Sequence, residues 1–374
     1  MIDPPRQKKK LLVLCPYPEG VAAGQRLKYE QYFEHWRSIG YEIEVSSFMS
    51  PAMWRVAYLK GQAFAKIVGL LGGYIRRICD MFHVKNYDLV YIHMWVTPIG
   101  TLFFERLTRR LAAKLVFDVE DNVLLVSLLP GAIEPNPIKR FFKGPQKPKF
   151  LIEEADHVIT SSPFLNDFCL KMNKAQQCTY ISSSVDTDRF IPLEKPEGER
   201  LLTIGWTGTF STRVYLDLLR ETFQKLAQRF PFKLRVIGNF EYELEGVDLE
   251  VVQWSKEREV EDLQAIDIGV YPLPIDDWVL GKSGLKAIQY MAFGLPVVAT
   301  DVGTTPLLIT NEFNGLLVKT EEEWLHAFER LLKEPALRRR LGRAARESAV
   351  ANYSTKAITG QYRRVLNSVM GSKN

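Results

Sequence analysis

The stretch with the clearest capacity for chemistry is Gly281–Gly303, GKSGLKAIQYMAFGLPVVATDVG, which predicts a glycine-rich loop, a short helix and a buried strand. A helix N-terminus carries partial positive charge and free amides, which suits a phosphate group. Ser283 is predicted as the N-cap, because its hydroxyl can accept from first-turn amides. Lys282 and Lys286 are four residues apart and are predicted to share one helix side, with Gln289 one turn further. The pattern indicates an anion cradle, although an ordinary helix–strand unit with solvated lysines fits this spacing equally well.

A second candidate group is a set of three carboxylates, Asp118, Glu120 and Asp121, which follows a predicted strand over residues 114–117. Three acids within four residues are costly to bring together, because like charges repel. One of them could bind an acceptor hydroxyl or take up its proton. Solvated loop acids are the alternative interpretation.

Two further strand ends carry polar candidates. A loop with two prolines and two glycines follows the predicted strand 11–15 and contains Gly24, with Arg26 just beyond it. His93 ends the predicted strand 88–93. Ligands in open α/β sheets bind at the carboxyl ends of the strands, so these residues are candidate ligand contacts. A plain structural turn remains the alternative for Gly24 and Arg26.

The elements that must position these residues alternate between strand and helix in two successive series. A polar segment over 192–199, PLEKPEGE, separates the series and predicts an interdomain linker. We therefore predict an α/β fold of two doubly wound halves, with domains over 1–191 and 200–355. Neither half has a full G-x-G-x-x-G or Walker motif, which argues against a nicotinamide enzyme and a P-loop NTPase.

Composition narrows the class of protein. The chain has 374 residues, 46% of them hydrophobic, and a net charge of +5, which does not indicate nucleic-acid binding. The four cysteines lack metal-ligand or redox spacing, so we expect reduced thiols, no metal site and a cytoplasmic protein. The N-terminal residues do not resemble a secretory signal, and no apolar run is long enough for a transmembrane helix.

The region 52–83 predicts a basic, amphipathic helical segment, with Arg55, Lys60, Lys66, Arg76 and Arg77 among apolar residues. Such a segment is compatible with lying on a membrane interface. A surface helix that packs one face on its own domain is the alternative, and the sequence slightly favours that alternative.

Four segments carry a resemblance to a known family: MAFGLPVV at 291–298, NGLLV at 314–318, VDTDRF at 185–190 and IGWTG at 204–208. With them, the chain resembles the family 4 retaining glycosyltransferases over nearly its whole length. The resemblance implies the GT-B fold, an α/β fold in which two Rossmann-like domains face each other across a cleft. It also implies that the final helix, 356–374, packs back on the N-terminal domain.

The activity implied by this resemblance is transfer of a sugar, with retention and without a metal or cofactor, from a nucleotide-sugar to a hydroxyl. A UDP-sugar is the family default, the C-terminal domain binds the donor and the N-terminal domain binds the acceptor. The acceptor would be a glycan or a lipid-linked glycan in cell-surface polysaccharide biosynthesis, met at the cytosolic face of the membrane. No nucleic-acid partner is implied.

The resemblance and the residue patterns together define the candidate site. The catalytic candidates are Glu120, Asp118, Lys282 and Lys286. The donor-binding candidates are Gly208, Thr209, Arg213, Gln253, Trp254, Gly281, Ser283, Gly284, Leu285 and Gln289. The acceptor-binding candidates are Gly24, Arg26, His93 and Asp121.

The chain departs from the family pattern at two of these candidates and at one further residue. Gly281 and Gln289 stand where many members have two glutamates, and Trp206 stands where many have an arginine on the diphosphate. Lys282 and Lys286 would then supply the missing positive charge. A catalytically silent nucleotide-sugar-binding subunit of a glycan assembly complex is therefore the alternative function. Another nucleotide-sugar enzyme on the same plan, an epimerase or phosphorylase, is the third hypothesis.

Overall fold

The computed structural model describes residues 8–57, 59–120, 146–195 and 200–371. The chain divides into two compact units, the first formed by residues up to Ser182 and from Thr359 onward, the second by Ser183–Ile358. Each unit contains a six-stranded sheet in which every neighbouring pair of strands is parallel. The predicted α/β class with two Rossmann-like halves is confirmed.

The first unit has strand order β2-β1-β3-β4-β5-β6. Its strands are β1 (Lys9–Cys15), β2 (Tyr41–Ser47), β3 (Leu89–His93), β4 (Leu115–Val119), β5 (His157–Thr160) and β6 (Cys178–Tyr180). Its described helices in the part up to Ser182 are α1 (Ala23–Arg26), α2 (Phe33–Ser38), α3 (Pro51–Ala57), α4 (Ala63–His83), α5 (Phe103–Leu111), α6 (Gln146–Glu154) and α7 (Pro163–Met172). Short 3₁₀ turns lie at Glu30–Tyr32 and Val84–Asn86. From β1, the chain first adds β2 on one side of the sheet and then β3 on the other, so the strand order reverses between β1 and β3. Ligands are expected in the crevice at the carboxyl ends of these two strands.

The second unit repeats the plan with strand order β12-β11-β10-β7-β8-β9. Its strands are β7 (Thr203–Thr207), β8 (Lys233–Gly238), β9 (Asp248–Gln253), β10 (Ile268–Tyr271), β11 (Val297–Thr300) and β12 (Leu316–Val318). The remaining helices are α8 (Arg213–Asp217), α9 (Arg220–Ala227), α10 (Glu259–Gln264), α11 (Leu285–Ala292), α12 (Thr305–Leu308), α13 (Glu321–Lys333), α14 (Pro335–Tyr353) and α15 (Thr355–Val369). Two 3₁₀ turns, Phe210–Thr212 and Asp277–Gly281, follow the ends of β7 and β10. The strand order of this sheet reverses between these two strands.

The division between the units falls earlier than the predicted boundary at 191. The Val185 amide donates to the Tyr353 carbonyl at 3.0 Å, and the Thr355 amide donates to the Val185 carbonyl at 3.1 Å. The Phe190 ring lies 5.2 Å from the Phe293 ring in the core of the second unit. These contacts attach residues 183–191 to the second unit, although the sequence placed them in the first domain.

The end of α15 belongs to the first unit, which begins again at Thr359. The Tyr362 ring is fully buried there, 4.7 Å from the Tyr32 ring and 5.7 Å from the Trp36 ring. The C-terminal segment is therefore part of the first unit's core, and the change of unit occurs within α15.

Two glycines allow α4 to lie directly against the first unit. A Cβ atom at Gly69 would lie 2.6 Å from Met53 Cγ, and one at Gly73 would lie 2.5 Å from Phe48 Cε1. Both contacts are shorter than side chains tolerate, so the glycine side of α4 must face inward. This contact fixes the rotation of α4 about its own axis.

We predict that Gly73→Ala destabilises the protein, because its methyl group would be forced into the Phe48 ring, at a cost of about 1–3 kcal/mol in the free energy of unfolding. The neighbouring Gly72→Ala is the matched control, since a Cβ there meets nothing within 4 Å. Alanine in an exposed helix interior should stabilise by about 0.5–1 kcal/mol. Urea unfolding of both variants measures the difference, and equal changes would contradict the observed rotation of α4.

Candidate functional site

The carboxyl end of β7 forms a tight turn that admits only glycine at position 208. A Cβ atom at Gly208 would lie 2.0 Å from the Trp206 ring and 2.7 Å from Thr212 Oγ1. The Thr207 amide at the same strand end donates to the Tyr290 hydroxyl of α11 at 2.8 Å. This hydrogen bond joins the end of β7 to the helix α11, beside the position where the strand order reverses.

Lys286 lies in the first turn of α11 and reaches this strand end. Its ammonium donates to Thr212 Oγ1 at 3.3 Å and lies 4.9 Å from the centroid of the Trp206 ring, a cation–π contact. Thr212 Oγ1 also accepts from the Thr209 amide at 3.0 Å. The structure thus brings together two predicted donor-binding residues, Gly208 and Thr209, and the predicted catalytic residue Lys286.

The start of α11 differs from the sequence prediction. Gly284, with φ 71°, is the N-cap, and Ser283 makes no capping bond. A Cβ atom at Gly284 would lie 2.3 Å from Leu308 Cδ1, so both the left-handed backbone and the close approach of α12 require glycine. Ser283 is buried in the loop before the helix. The prediction of a serine cap is wrong.

Lys282 also lies outside α11, in extended backbone that follows the 3₁₀ turn ending at Gly281. Its carbonyl accepts from Thr304 Oγ1 at 2.7 Å, and its side chain is partly exposed. The predicted sharing of one helix side by Lys282 and Lys286 is therefore wrong. The contact with Thr304 ties the loop after β10 to the loop after β11, which holds the N-terminus of α11 in place.

The other candidates of the stretch 281–289 differ in their burial. Gln289 is 5% exposed, one turn beyond Lys286, whereas Leu285 is partly exposed and Gly281 is buried. At this depth, the uncharged amide of Gln289 can be buried at lower cost than a carboxylate.

Three other donor-site candidates make contacts of their own within the second unit. The Arg213 guanidinium lies over the Phe210 ring and pairs with Asp217 at 3.8 Å along its own helix. Gln253 ends the edge strand β9 and donates weakly to the Phe240 carbonyl at 3.4 Å, while the Trp254 amide donates to the Gly238 carbonyl. Gln253 and Trp254 lie at the same sheet edge as Gly208, two strands away from β7.

In the first unit, the structure places Glu120 beside Gly24. A Cβ atom at Gly24 would lie 3.0 Å from Glu120 Oε2, so the carboxylate approaches the backbone at the start of α1. Glu120 follows β4 and is partly exposed, and Arg26, at the end of α1, is buried. Asp121 lies outside the described residues.

Asp118 occupies a different position from Glu120. It is fully buried at the end of β4, where its Oδ1 lies 2.5 Å from the Lys28 ammonium and its Oδ2 accepts from the Tyr91 hydroxyl. His93 Nδ1 lies 3.6 Å from the same carboxylate. Burial alone would raise the pKa of Asp118, but Lys28 and His93 lower it to about 2. Burial lowers the pKa of His93.

The surroundings of Asp118 and His93 change the interpretation of both residues. Their side chains are 0% and 1% exposed, and their contacts are with neighbouring strands and with Lys28. A buried ion pair of this kind positions the strand ends around it. Of the two predicted acids that the structure describes, Asp118 is buried and Glu120 is partly exposed.

Four residues that contact the predicted site residues were not among the candidates predicted from the sequence: Lys28, Trp206, Thr212 and Tyr290. Their roles come from contacts across the sequence, such as the 74 residues between Thr212 and Lys286. One local signal existed for Thr212, because Thr209 and Thr212 have the spacing of a capping box, which the structure shows at the 3₁₀ turn.

Residues 202–334 match the model of the family described as Glycosyl transferases group 1. By this match, the chain is similar to the glycosyltransferases of that group over its second unit. It is 24% identical over 326 residues to a D-inositol 3-phosphate glycosyltransferase from Saccharomonospora viridis, a match that covers 76% of this chain and 72% of the relative.

The fold of this chain is similar to solved structures over nearly its whole length. A sucrose-phosphate synthase from Thermosynechococcus elongatus superposes with a TM-score of 0.70 at 18% identity, covering 98% of this chain and 100% of that one. HepE of Anabaena, solved in complex with UDP and glucose, superposes with a TM-score of 0.65 at 14% identity, covering 97% and 100%. These likenesses confirm the predicted GT-B fold class.

We predict that Asp118→Asn lowers the free energy of unfolding by about 3–5 kcal/mol, because Lys28 would be left as a buried charge without a counter-ion. Glu120→Gln, the control at a partly exposed position, should cost at most about 1 kcal/mol. Since the pKa of Asp118 is depressed in the folded state, its stabilising contribution is present above its ordinary pKa of 3.8 and is lost as the pH falls towards 2. Chemical unfolding of both variants between neutral and acid pH checks this, and an unchanged stability of Asp118→Asn would refute the structural role.

Proposed function

We propose that the protein transfers a sugar, with retention of anomeric configuration, from a nucleotide-sugar to a hydroxyl of a glycan or lipid-linked acceptor. The donor is a UDP-sugar bound by the second unit, the acceptor is bound by the first, and neither a metal nor a cofactor takes part. The biological setting is cell-surface polysaccharide biosynthesis in the cytoplasm, at the inner face of the membrane.

The observation that carries the proposal is the convergence of Lys286, the glycine turn after β7 and the N-terminus of α11. Lys286 supplies a positive charge, and the helix start supplies amides that suit a phosphate group. Gly208 lets the Trp206 ring and Thr212 Oγ1 pack against the turn, because a Cβ atom there would collide with both. A diphosphate is the ligand group that matches this combination, and the UDP in the Anabaena structure supports the same choice.

In the proposed step, the acceptor hydroxyl oxygen forms a bond to the anomeric carbon while the bond from that carbon to the diphosphate oxygen breaks. The acceptor proton passes to the leaving diphosphate, which balances the reaction without a side-chain base. Negative charge grows on the diphosphate as the bond breaks, and Lys286 and Lys282 stabilise it. Gln289 is assigned to a ribose hydroxyl, as an uncharged hydrogen-bonding group.

The first unit is assigned the acceptor. Glu120 follows the carboxyl end of β4, and its carboxylate lies beside Gly24 near the start of α1. Ligands of α/β sheets bind at the carboxyl ends of the strands. The Glu120 carboxylate would accept a hydrogen bond from the acceptor hydroxyl and orient it. Arg26 lies at the end of the same short helix, α1.

A donor panel tests the proposal. The protein is incubated with UDP-, GDP- and other nucleotide-sugars, with and without candidate acceptors, and nucleotide release is measured with and without EDTA. We expect acceptor-dependent release of UDP that survives EDTA, with the anomeric configuration of the donor kept in the product by NMR. Donor binding without turnover on any acceptor would favour the catalytically silent subunit, and loss of turnover in EDTA would overturn metal independence.

We predict that Lys286→Ala lowers kcat/KM for the donor tenfold or more, because it removes a charge-assisted phosphate contact worth on the order of 1.5–3 kcal/mol. Lys225→Ala is the matched control, since Lys225 is an exposed lysine of the same unit that pairs with Glu321. Steady-state kinetics of both variants, with circular dichroism to confirm folding, measure the effect. A wild-type kcat/KM in Lys286→Ala would remove this lysine from the donor site.

A further inference from the structure

The outward side of α4 carries a continuous row of apolar side chains. Seven residues form this row, which we name the α4 apolar face, and their side chains are between 48% and 80% exposed. They recur every three or four residues along one side of the helix, over about 27 Å at 1.5 Å per residue. The α4 apolar face consists of Phe64, Ile67, Val68, Leu71, Ile75, Ile78 and Phe82.

The inward side of α4 is the polar one. Arg77 is fully buried and donates to the Val96 carbonyl at 2.8 Å and to the Cys15 carbonyl at 3.0 Å. It also donates to Asp80 Oδ2 at 2.8 Å, and the neighbouring Arg76 donates to the Ser47 carbonyl at 2.7 Å. The sequence placed both arginines in a basic, amphipathic segment, and the structure directs their hydrogen bonds into the unit.

The helix therefore directs Arg76 and Arg77 towards the protein, while the seven residues of the α4 apolar face are exposed on the outside. Turning it over would break the Arg77 bonds and force the Gly73 side away from Phe48. The α4 apolar face is thus fixed in an outward position. Single exposed apolar residues are normal on protein surfaces, but a contiguous row of this size marks an interaction site.

The exposed charges beside the α4 apolar face are basic. Arg55 and Lys60 precede it, and Arg106 and Arg110 are exposed on α5, which packs against α4. The carboxylates of these segments are directed elsewhere. Asp80 is bound to Arg77 and Ser46, and Glu105 is fully buried beside Lys147 at 3.4 Å.

We propose that the α4 apolar face inserts into the interfacial region of an anionic lipid bilayer, with α4 parallel to the membrane. Apolar side chains would enter the boundary with the acyl chains, while the basic residues would meet the lipid phosphates. Among the described residues, no helix has the length and hydropathy to cross a membrane. Contact between two copies through this face would bring like charges together, which favours lipid as the occupant.

The inference names the surface at which a lipid-linked acceptor would be met, and in that respect it rests on the proposed function. Lipid binding itself does not require sugar transfer. The two ideas can therefore fail separately, because vesicle binding and nucleotide release are measured independently.

The experiment is co-sedimentation of the full chain with vesicles of phosphatidylcholine that contain phosphatidylglycerol, and with vesicles of phosphatidylcholine alone. The test variant carries Phe64→Gln, Leu71→Gln and Ile75→Gln. The matched control carries Leu201→Gln, Phe313→Gln and Val350→Gln, which replace exposed apolar residues of the second unit. Thermal unfolding and donor-dependent nucleotide release confirm that each variant is folded.

We expect the wild-type protein and the control to bind the anionic vesicles, and the test variant to bind at least tenfold more weakly, because three apolar side chains no longer enter the bilayer. A second variant, Arg55→Gln with Lys60→Gln, should lose roughly fivefold per charge on anionic vesicles alone. Failure of the wild type to bind would overturn the proposal, as would equal binding of the test variant. A wild-type dimer that becomes a monomer in the test variant, without vesicle binding, would assign the face to self-association instead.

Discussion

The proposed donor site depends on one contact, in which the Lys286 ammonium lies over the Trp206 ring and against Thr212 Oγ1. This contact joins the turn after β7 to the first turn of α11. Both elements lie where the strand order of the second sheet reverses. An ammonium stacked on an aromatic ring retains its charge and loses part of its side-chain freedom before any ligand arrives. Such preorganisation lets a fixed charge stabilise a leaving group without reorganisation during the reaction.

Much of the fold followed from the sequence because parallel strands buried on both faces leave apolar runs that are legible locally. The strands β1, β3, β4 and β11 were predicted correctly from such runs. The position of Lys286 at a helix start was also predictable from spacing. Its roles with Trp206 and Thr212 were not, because those partners come from a different loop.

The errors share one physical cause, which is that local chemistry does not show tertiary contacts. Ser283 has the right side chain for a cap, yet Leu308 packs against the backbone of Gly284 and moves the helix start by one residue. Asp118 resembles a loop acid in sequence, but Lys28, from 90 residues earlier, makes it a buried ion pair. In α4, the sequence shows two faces, and only the contacts of Gly73 and Arg77 decide which one faces the protein.

Binding of a nucleotide diphosphate where the β7 turn meets α11 is tested most directly by hydrogen–deuterium exchange of the protein with and without UDP. We predict slower exchange of backbone amides at 207–213 and 282–290 when UDP is bound, because ligand contacts would protect these two segments. Unchanged exchange in both segments at a saturating concentration of UDP, with protection appearing elsewhere in the chain, would contradict it.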